Sequence, residues 1–210
     1  MSRVGIKVCG LRRAEDVGVC VESGVDFVGF IFVPGSPRFV TPAEAKRLES
    51  GSAERVGVFA DQPLEEVLRM ADEARLDRLQ LHGSESPEYA ERVGAERVIK
   101  TFWPDALRFR REGDADLAVH MKRYVDAAAC FLFDAGNGGG GHGVSLAFER
   151  LKNVRVPRPF FIAGGLGMEN AGEAVRILKP FAVDLNSALE TAPGVKDAKK
   201  IRETVRSLKA

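Results

Sequence analysis

Short runs rich in β-branched and aromatic residues alternate with longer stretches of helical periodicity along the whole chain, the pattern of strand–helix units built on a parallel sheet. The strand candidates are Val4 to Val8, Phe27 to Phe32, Arg55 to Phe59, Arg78 to Leu81, Arg97 to Thr101, Cys130 to Asp134, Pro159 to Ala163 and Phe181 to Leu185. Helical periodicity falls near residues 14–23, 43–50, 63–74, 86–93, 115–123, 145–152, 168–178 and 197–208. Start signals anchor several of these: Thr41-Pro42-Ala43-Glu44 supplies a cap, a first-turn proline and a glutamate three residues on, and Asp61-Gln62-Pro63 and Ser86-Pro87-Glu88 repeat the theme. Eight units in 210 residues average about 26 each, near the lower bound for a (β/α)8 barrel and leaving little for anything else. A doubly wound sheet usually needs fewer strands. The expected fold is therefore an α/β, single-domain (β/α)8 TIM barrel spanning residues 1–210.

Alternation along each strand sorts side chains into those facing the barrel axis and those facing the helices. In the first strand Val4, Ile6 and Val8 share one face while Lys7 and Cys9 share the other. In the sixth, Phe131 and Phe133 are expected against helices, leaving Cys130, Leu132 and Asp134 inward; in the eighth, Val183 and Leu185 oppose Ala182 and Asp184. The inward parity thus gathers the polar groups. Cys9, Asp134 and Asp184 stand at or near the C-terminal ends of their strands, where active sites of this fold are built. Lys7 lies deeper, and a buried ammonium needs a carboxylate, with Asp134 or Asp184 as partner.

The loops after the seventh and eighth strands suit an anion. Ala163-Gly164-Gly165-Leu166-Gly167 lets backbone amides come close to a phosphate, and Asn186 and Ser187 add small polar groups. Glycine pairs also serve ordinary strand-to-helix turns. The densest glycine run, Gly138 to Gly141, falls at another strand-to-helix junction and reads as functional rather than interdomain.

Composition narrows the partners. Lys plus Arg is 31 against 30 for Asp plus Glu, so a net charge near +1 offers no strong field for nucleic acid. Apolar runs such as Phe27 to Val33 fall far short of the roughly 20 residues a membrane helix needs. The first residues enter a strand without the apolar region of a secretory signal. The odd set Cys9, Cys20 and Cys130, widely spaced and without CxxC pairs, suggests neither a disulfide framework nor a cysteine-bound zinc. A reduced, cytoplasmic protein with no nucleic-acid or membrane partner is expected.

Several segments taken in order resemble the phosphoribosylanthranilate isomerase family of tryptophan biosynthesis (the TrpF type). They are Lys7-Val8-Cys9-Gly10-Leu11, Gly35-Ser36-Pro37-Arg38-Phe39-Val40, Gln80-Leu81-His82-Gly83, Asp134 followed by Gly140-Gly141-His142-Gly143, Ala163-Gly164-Gly165-Leu166, and Val183-Asp184 with Pro193-Gly194-Val195-Lys196-Asp197. The resemblance implies an Amadori rearrangement of N-(5-phosphoribosyl)anthranilate with no metal or organic cofactor, by a monomer or homodimer acting on a small phosphorylated substrate. It assigns Cys9 as general base and Asp134 as general acid, a pairing the residues support if nearby charge such as Lys7 lowers the thiol's pKa. It places Arg38 on the anthranilate carboxylate, Asp184 beside the anthranilate, and Lys7, Gln80 and His82 among the substrate-binding groups. Gly164, Gly165, Asn186 and Ser187, with Gly141 and Gly143, are assigned to the phosphate. The chain departs from the family at His142, where threonine or serine is usual, and at Asn186-Ser187-Ala188, where Ser-Ser-Gly is usual. An alanine at a position needing positive φ costs roughly 1 kcal/mol or more.

Blander readings exist for each residue. A lone cysteine is commonly a small buried hydrophobe, an aspartate at a strand end often caps a turn, and a loop arginine is usually solvated. His82 and His142 alternatively suggest a metal site or an epimerase-like barrel. Two other functions use the same scaffold: a related phosphosugar isomerase acting on an aminoimidazole substrate, and a barrel that binds a phosphorylated metabolite without catalysis.

Overall fold

The computed structural model describes residues 3–104, 114–134 and 151–210. Alternation and β-branched content produce eight strands: β1 (Gly5–Val8), β2 (Phe27–Ile31), β3 (Glu54–Phe59), β4 (Arg78–Leu81), β5 (Val98–Phe102), β6 (Cys130–Asp134), β7 (Phe160–Ala163) and β8 (Ala182–Leu185). They pair in parallel in sequence order, and β8 returns to β1 to close a barrel. Every strand agrees with its expected position to within a residue or two. The seam between β1 and β8 puts Gly5 opposite Ala182 and Lys7 opposite Asp184.

The parity expectation holds. Phe27, Val56, Ile99, Cys130, Leu132, Phe161, Ala163 and Ala182 pack together inside the barrel. Ile6, Val8, Phe131, Phe133, Val183 and Leu185 belong to the larger cluster between sheet and helices. Closure leaves the barrel sheet without an edge, so each of its strands is paired on both sides.

Seven α-helices occur among the described residues: α1 (Ala14–Ser23), α2 (Pro42–Lys46), α3 (Leu64–Glu73), α4 (Pro87–Gly94), α5 (Asp114–Lys122), α6 (Ala171–Leu178) and α7 (Ala198–Lys209). The Thr41 signal is a full capping box with Glu44, and the Ser86 hydroxyl accepts from the Tyr89 N–H. Asp197 caps α7 by accepting from the amides of Lys199 and Lys200. Asp61-Gln62-Pro63 departs from expectation. Its side chains do not cap α3; Asp61 accepts from the Ser84 amide, while Gln62 accepts from the Ala60 amide and donates to the Phe32 carbonyl. These bonds tie together the loops after β2, β3 and β4. Helix α2 stops at Lys46, short of the expected residue 50, and α6 begins at Ala171 because Gly167 to Asn170 form a turn. The expected helix near 145–152, apart from its last residues, lies outside the described residues.

After β8 comes a short 3-10 turn (Ser187–Leu189) and then a two-stranded hairpin of β9 (Glu190–Ala192) and β10 (Val195–Lys196), which the sequence pattern does not announce. Gly194 turns it with φ 80°.

Candidate active site

Lys7 projects into the barrel with no exposure at all, and the β1–β8 register sets it beside Asp184, whose Oδ2 accepts from its ammonium at 2.8 Å. The sequence had left Asp134 or Asp184 as partner; the structure selects Asp184. From there Lys7 reaches across to β4 and donates to Gln80 Oε1 at 2.9 Å. Burial draws the Lys7 pKa down, but Asp184 and then Cys9 outweigh it, so the group is held above the usual lysine value as an ammonium. The other Asp184 oxygen, Oδ1, is buried and has no hydrogen-bond partner among the described residues.

The polar chain continues from Gln80. Its Nε2 lies 3.1 Å from His82 Nδ1, the Thr101 hydroxyl is 3.1 Å from the same nitrogen, and His82 Nε2 is 3.7 Å from Asp134 Oδ2. Trp103 meets the imidazole edge-on, with ring centroids 5.2 Å apart. Lys7, Gln80, His82, Asp134 and Asp184 therefore form one connected set drawn from β1, β4, β6 and β8. Gln80 is 2% exposed, and Lys7 and His82 take both of its polar ends.

Cys9 follows β1 directly, 4% exposed, its amide donating to the Leu185 carbonyl. Room for the sulfur comes from β2: a Cβ on Gly29 would lie 2.9 Å from Cys9 Sγ and 3.0 Å from its Cα. The expectation that Lys7 would leave the thiol acidified is corrected. Burial pushes the Cys9 pKa up, Lys7 and Lys196 pull it down, Asp184 opposes them, and the net shift is upward. Lys7 is the strongest influence favouring the thiolate, but burial of the sulfur, with Asp184 adding to it, outweighs the two cations.

Gly10, with φ 72°, is the meeting point of the next two groups, because a side chain there would strike Arg38 Cδ at 2.7 Å and Asn186 Oδ1 at 2.9 Å. Arg38 is not a solvated loop charge. Its Nε and Nη2 donate to the two carboxylate oxygens of Glu190 at 2.8 and 2.6 Å. Glu190 Oε1 also accepts from the Gly194 amide and from the fully buried Lys196 ammonium, which donates further to the Asn186 carbonyl and Oδ1. Burial alone would raise the Glu190 pKa; Arg38 and Lys196 together hold it below the usual carboxylate value.

In the loop after β7, Gly164 and Gly165 adopt φ 105° and 69°, which L side chains rarely take. Asn170 shapes this turn by accepting from the Gly167 amide and donating to the Gly165 carbonyl. In the loop after β8, Ala188 is not among the positive-φ residues, so the strain anticipated from alanine at this position does not arise. Its methyl group is accommodated because Gly167 has none: a Cβ there would lie 2.8 Å from Ala188 Cβ. The loops after β7 and β8 therefore meet at Gly167 and Ala188. Gly141, His142 and Gly143 lie outside the described residues.

Glu190, Lys196, Thr101, Trp103 and Asn170 were not assigned from sequence. Thr101 and Trp103 were accessible to the parity argument, since both share the inward parity of Ile99 in β5. Glu190 and Lys196 carried no such signal, because their pairing with Arg38 and Asn186 is tertiary.

With the geometry in place, comparisons define the relatives. A model of the family described as N-(5'phosphoribosyl)anthranilate (PRA) isomerase matches residues 6–207. The N-(5'-phosphoribosyl)anthranilate isomerase of Desulfovibrio desulfuricans is 48% identical over 196 residues, covering 93% of this chain and 91% of that protein. Among solved structures, phosphoribosyl anthranilate isomerase from Thermotoga maritima superposes with a TM-score of 0.84 at 32% identity, covering 98% of each chain. A phosphoribosyl anthranilate isomerase in complex with reduced 1-(o-carboxyphenylamino)-1-deoxyribulose 5-phosphate superposes at 0.79, also at 32% identity and 98% coverage of each chain.

Proposed function

The chain belongs to the N-(5'-phosphoribosyl)anthranilate isomerase family, and on that premise we propose that Cys9 and Asp134 carry out the two proton transfers of its reaction. The activity itself is the isomerisation of N-(5'-phosphoribosyl)anthranilate to 1-(o-carboxyphenylamino)-1-deoxyribulose 5-phosphate in tryptophan biosynthesis. What supports the assignment is that Cys9 and Asp134 lie on the inward parity at the C-terminal ends of β1 and β6, on the face of the barrel where sites of this fold form.

In this reading Asp134 gives a proton to the furanose ring oxygen, the C1–O bond breaks, and the nitrogen lone pair forms a cationic imine. Cys9, as thiolate, then takes the C2 proton; the resulting enol-amine gains a proton at C1 and gives up its C2 hydroxyl proton to become the ketone, steps that return Cys9 and Asp134 to thiolate and acid. The free site favours the thiol, and the positive charge of the imine is what shifts Cys9 toward thiolate within the complex. Arg38 presents its remaining N–H edge to the anthranilate carboxylate. Asp184 Oδ1, which has no hydrogen-bond partner among the described residues, is an acceptor suited to the substrate's amine N–H. The phosphate is held at Gly164, Gly165, Asn186 and Ser187, with Gly141 and Gly143 contributing. The whole chain acts as one catalytic domain in the cytoplasm, as a monomer or homodimer.

The test is loss of substrate fluorescence with freshly prepared N-(5'-phosphoribosyl)anthranilate. Cys9→Ser and Asp134→Asn should each lower kcat by about 10²–10⁴-fold with KM changed far less. A variant retaining wild-type kcat removes that residue from its role. Arg38→Ala should chiefly raise KM; unchanged turnover would point instead to a substrate without the carboxylate.

A further inference from the structure

The chain of contacts from Lys7 to Asp134 determines where one proton sits. An ammonium has three donors and no acceptor, so the Gln80 atom 2.9 Å from Lys7 Nζ has to be the amide oxygen. That leaves the amide nitrogen, two donors and no acceptor, facing His82 Nδ1 at 3.1 Å. Two N–H groups cannot point at each other, so Nδ1 is the bare, accepting nitrogen. The Thr101 hydroxyl, 3.1 Å from the same atom, fits as a second donor. The imidazole proton is then on Nε2, the atom 3.7 Å from Asp134 Oδ2.

We infer that Gln80 is a positioning residue for the isomerisation: by relaying the polarity of the Lys7 ammonium it locks His82 as the neutral Nε2–H tautomer, with its proton directed toward Asp134. The role rests on the reading of Asp134 as the acid. An imidazolium beside that carboxyl would favour the carboxylate, which has no proton for the ring oxygen. A neutral imidazole brings no such charge and still presents the dipole of its Nε2–H to the carboxylate once the proton has left.

Among the described residues, the charged and titratable groups around His82 are Lys7 on β1, Lys100 on β5, Asp134 on β6 and Asp184 on β8, with Thr101 and Trp103 completing the surroundings. Burial disfavours the imidazolium first. Lys7 and Lys100 add to that effect, Asp134 and Asp184 oppose it, and the balance lies below the ordinary histidine value. Lys7 thus acts on His82 both through space and through the Gln80 amide. The Gln80 amide is engaged at both ends, by Lys7 through its oxygen and by His82 through its nitrogen.

The test uses the full-length protein and a readout independent of turnover. Long-range ¹H–¹⁵N spectra of the imidazoles distinguish the tautomers, and with only three histidines in the chain, His82 is assigned from a His82→Asn spectrum. In wild type at neutral pH, His82 should give the Nε2–H pattern and titrate below the normal histidine range. Gln80→Glu replaces the donating nitrogen with an acceptor. It should move the proton to Nδ1 or charge the ring, raise the His82 pKa by about one unit or more, and lower kcat by roughly tenfold with KM nearly unchanged. Gln80→Leu adds no buried charge and serves if the glutamate variant fails to fold; it should leave a mixture of tautomers. A wild-type Nδ1–H or imidazolium pattern overturns the inference, as does a wild-type pattern in both variants. If the tautomer is as stated but Asp134→Asn retains full turnover, it is the acid assignment that falls, with the locked imidazole still in place.

Discussion

Cys9 must be a base during one step, yet its surroundings favour the thiol in the free protein. Burial is the dominant influence, and the nearest cation, Lys7, is shared with Asp184. Below its pKa, the thiolate fraction of a thiol rises tenfold per pH unit, so activity carried by Cys9 climbs with pH until the group is ionised. The limb seen in kcat/KM reports the free enzyme, and the limb in kcat reports the complex. Because the imine cation favours thiolate only in the complex, the kcat limb should lie at lower pH than the kcat/KM limb. A pair of coincident limbs, or profiles that stay flat over about pH 6 to 10, would remove Cys9 as the titrating base. The sulfur's position depends equally on what is missing opposite it. Gly29→Ala would place a methyl 2.9 Å from Sγ and 3.0 Å from Cys9 Cα, and backbone cannot retreat as a flexible side chain can. The expected outcome is a stability loss of about 1–3 kcal/mol by denaturant titration, with kcat reduced by tenfold or more in the protein that remains folded. Gly29 shows what sequence reading can and cannot reach: the strand and its inward parity are legible there, whereas its proximity to Cys9 depends on the pairing of two strands.

The element that holds Arg38 is the one with the weakest local signal. The eight strands were readable because parallel strands covered on both faces need dense β-branched and aromatic residues, and the helices because their caps sit in the sequence. The β9–β10 hairpin has neither signature. Glu190-Thr191-Ala192 shows no alternation, and what holds the hairpin is the ion cluster of Glu190 with Arg38 and Lys196. That cluster carries two cations and one anion, so Arg38 keeps a net attraction for a carboxylate although Glu190 occupies one edge of its guanidinium. Lys196 has all three donors engaged, by Asn186 twice and Glu190 once, and so links the hairpin to the loop after β8. Glu190→Gln should loosen Arg38, because an amide offers the fork only one acceptor. KM for the anthranilate-bearing substrate should rise by about tenfold with kcat within about threefold, a loss near 1.4 kcal/mol of binding. A collapse of kcat at unchanged KM would mean that the hairpin serves the chemistry rather than recognition.

Across the whole barrel, the inner face divides into an apolar half and a charged half. Phe27, Val56, Ile99, Cys130, Leu132, Phe161, Ala163 and Ala182 pack together, while Lys7, Gln80 and Asp184 occupy the level that carries the site. The Lys7–Asp184 pair is buried at 0% and 7% side-chain exposure, and removing two ions from water costs more than their attraction commonly returns. Asp184 Oδ1 adds a buried acceptor with no hydrogen-bond partner among the described residues. Such a site is held in place by the closed sheet around it rather than by its own interactions, which implies that function here opposes stability. Lys7→Met and Asp184→Leu, made singly, should each lower stability by about 3–5 kcal/mol, since each leaves one uncompensated buried charge. Made together, they should restore the wild-type Tm or exceed it by a few degrees, at about 2–4 °C per kcal/mol for a chain of this size, while abolishing turnover. A double variant no more stable than the singles would show that the ion pair is a net contributor to the fold, and that the barrel depends on its polar level as much as on its apolar one.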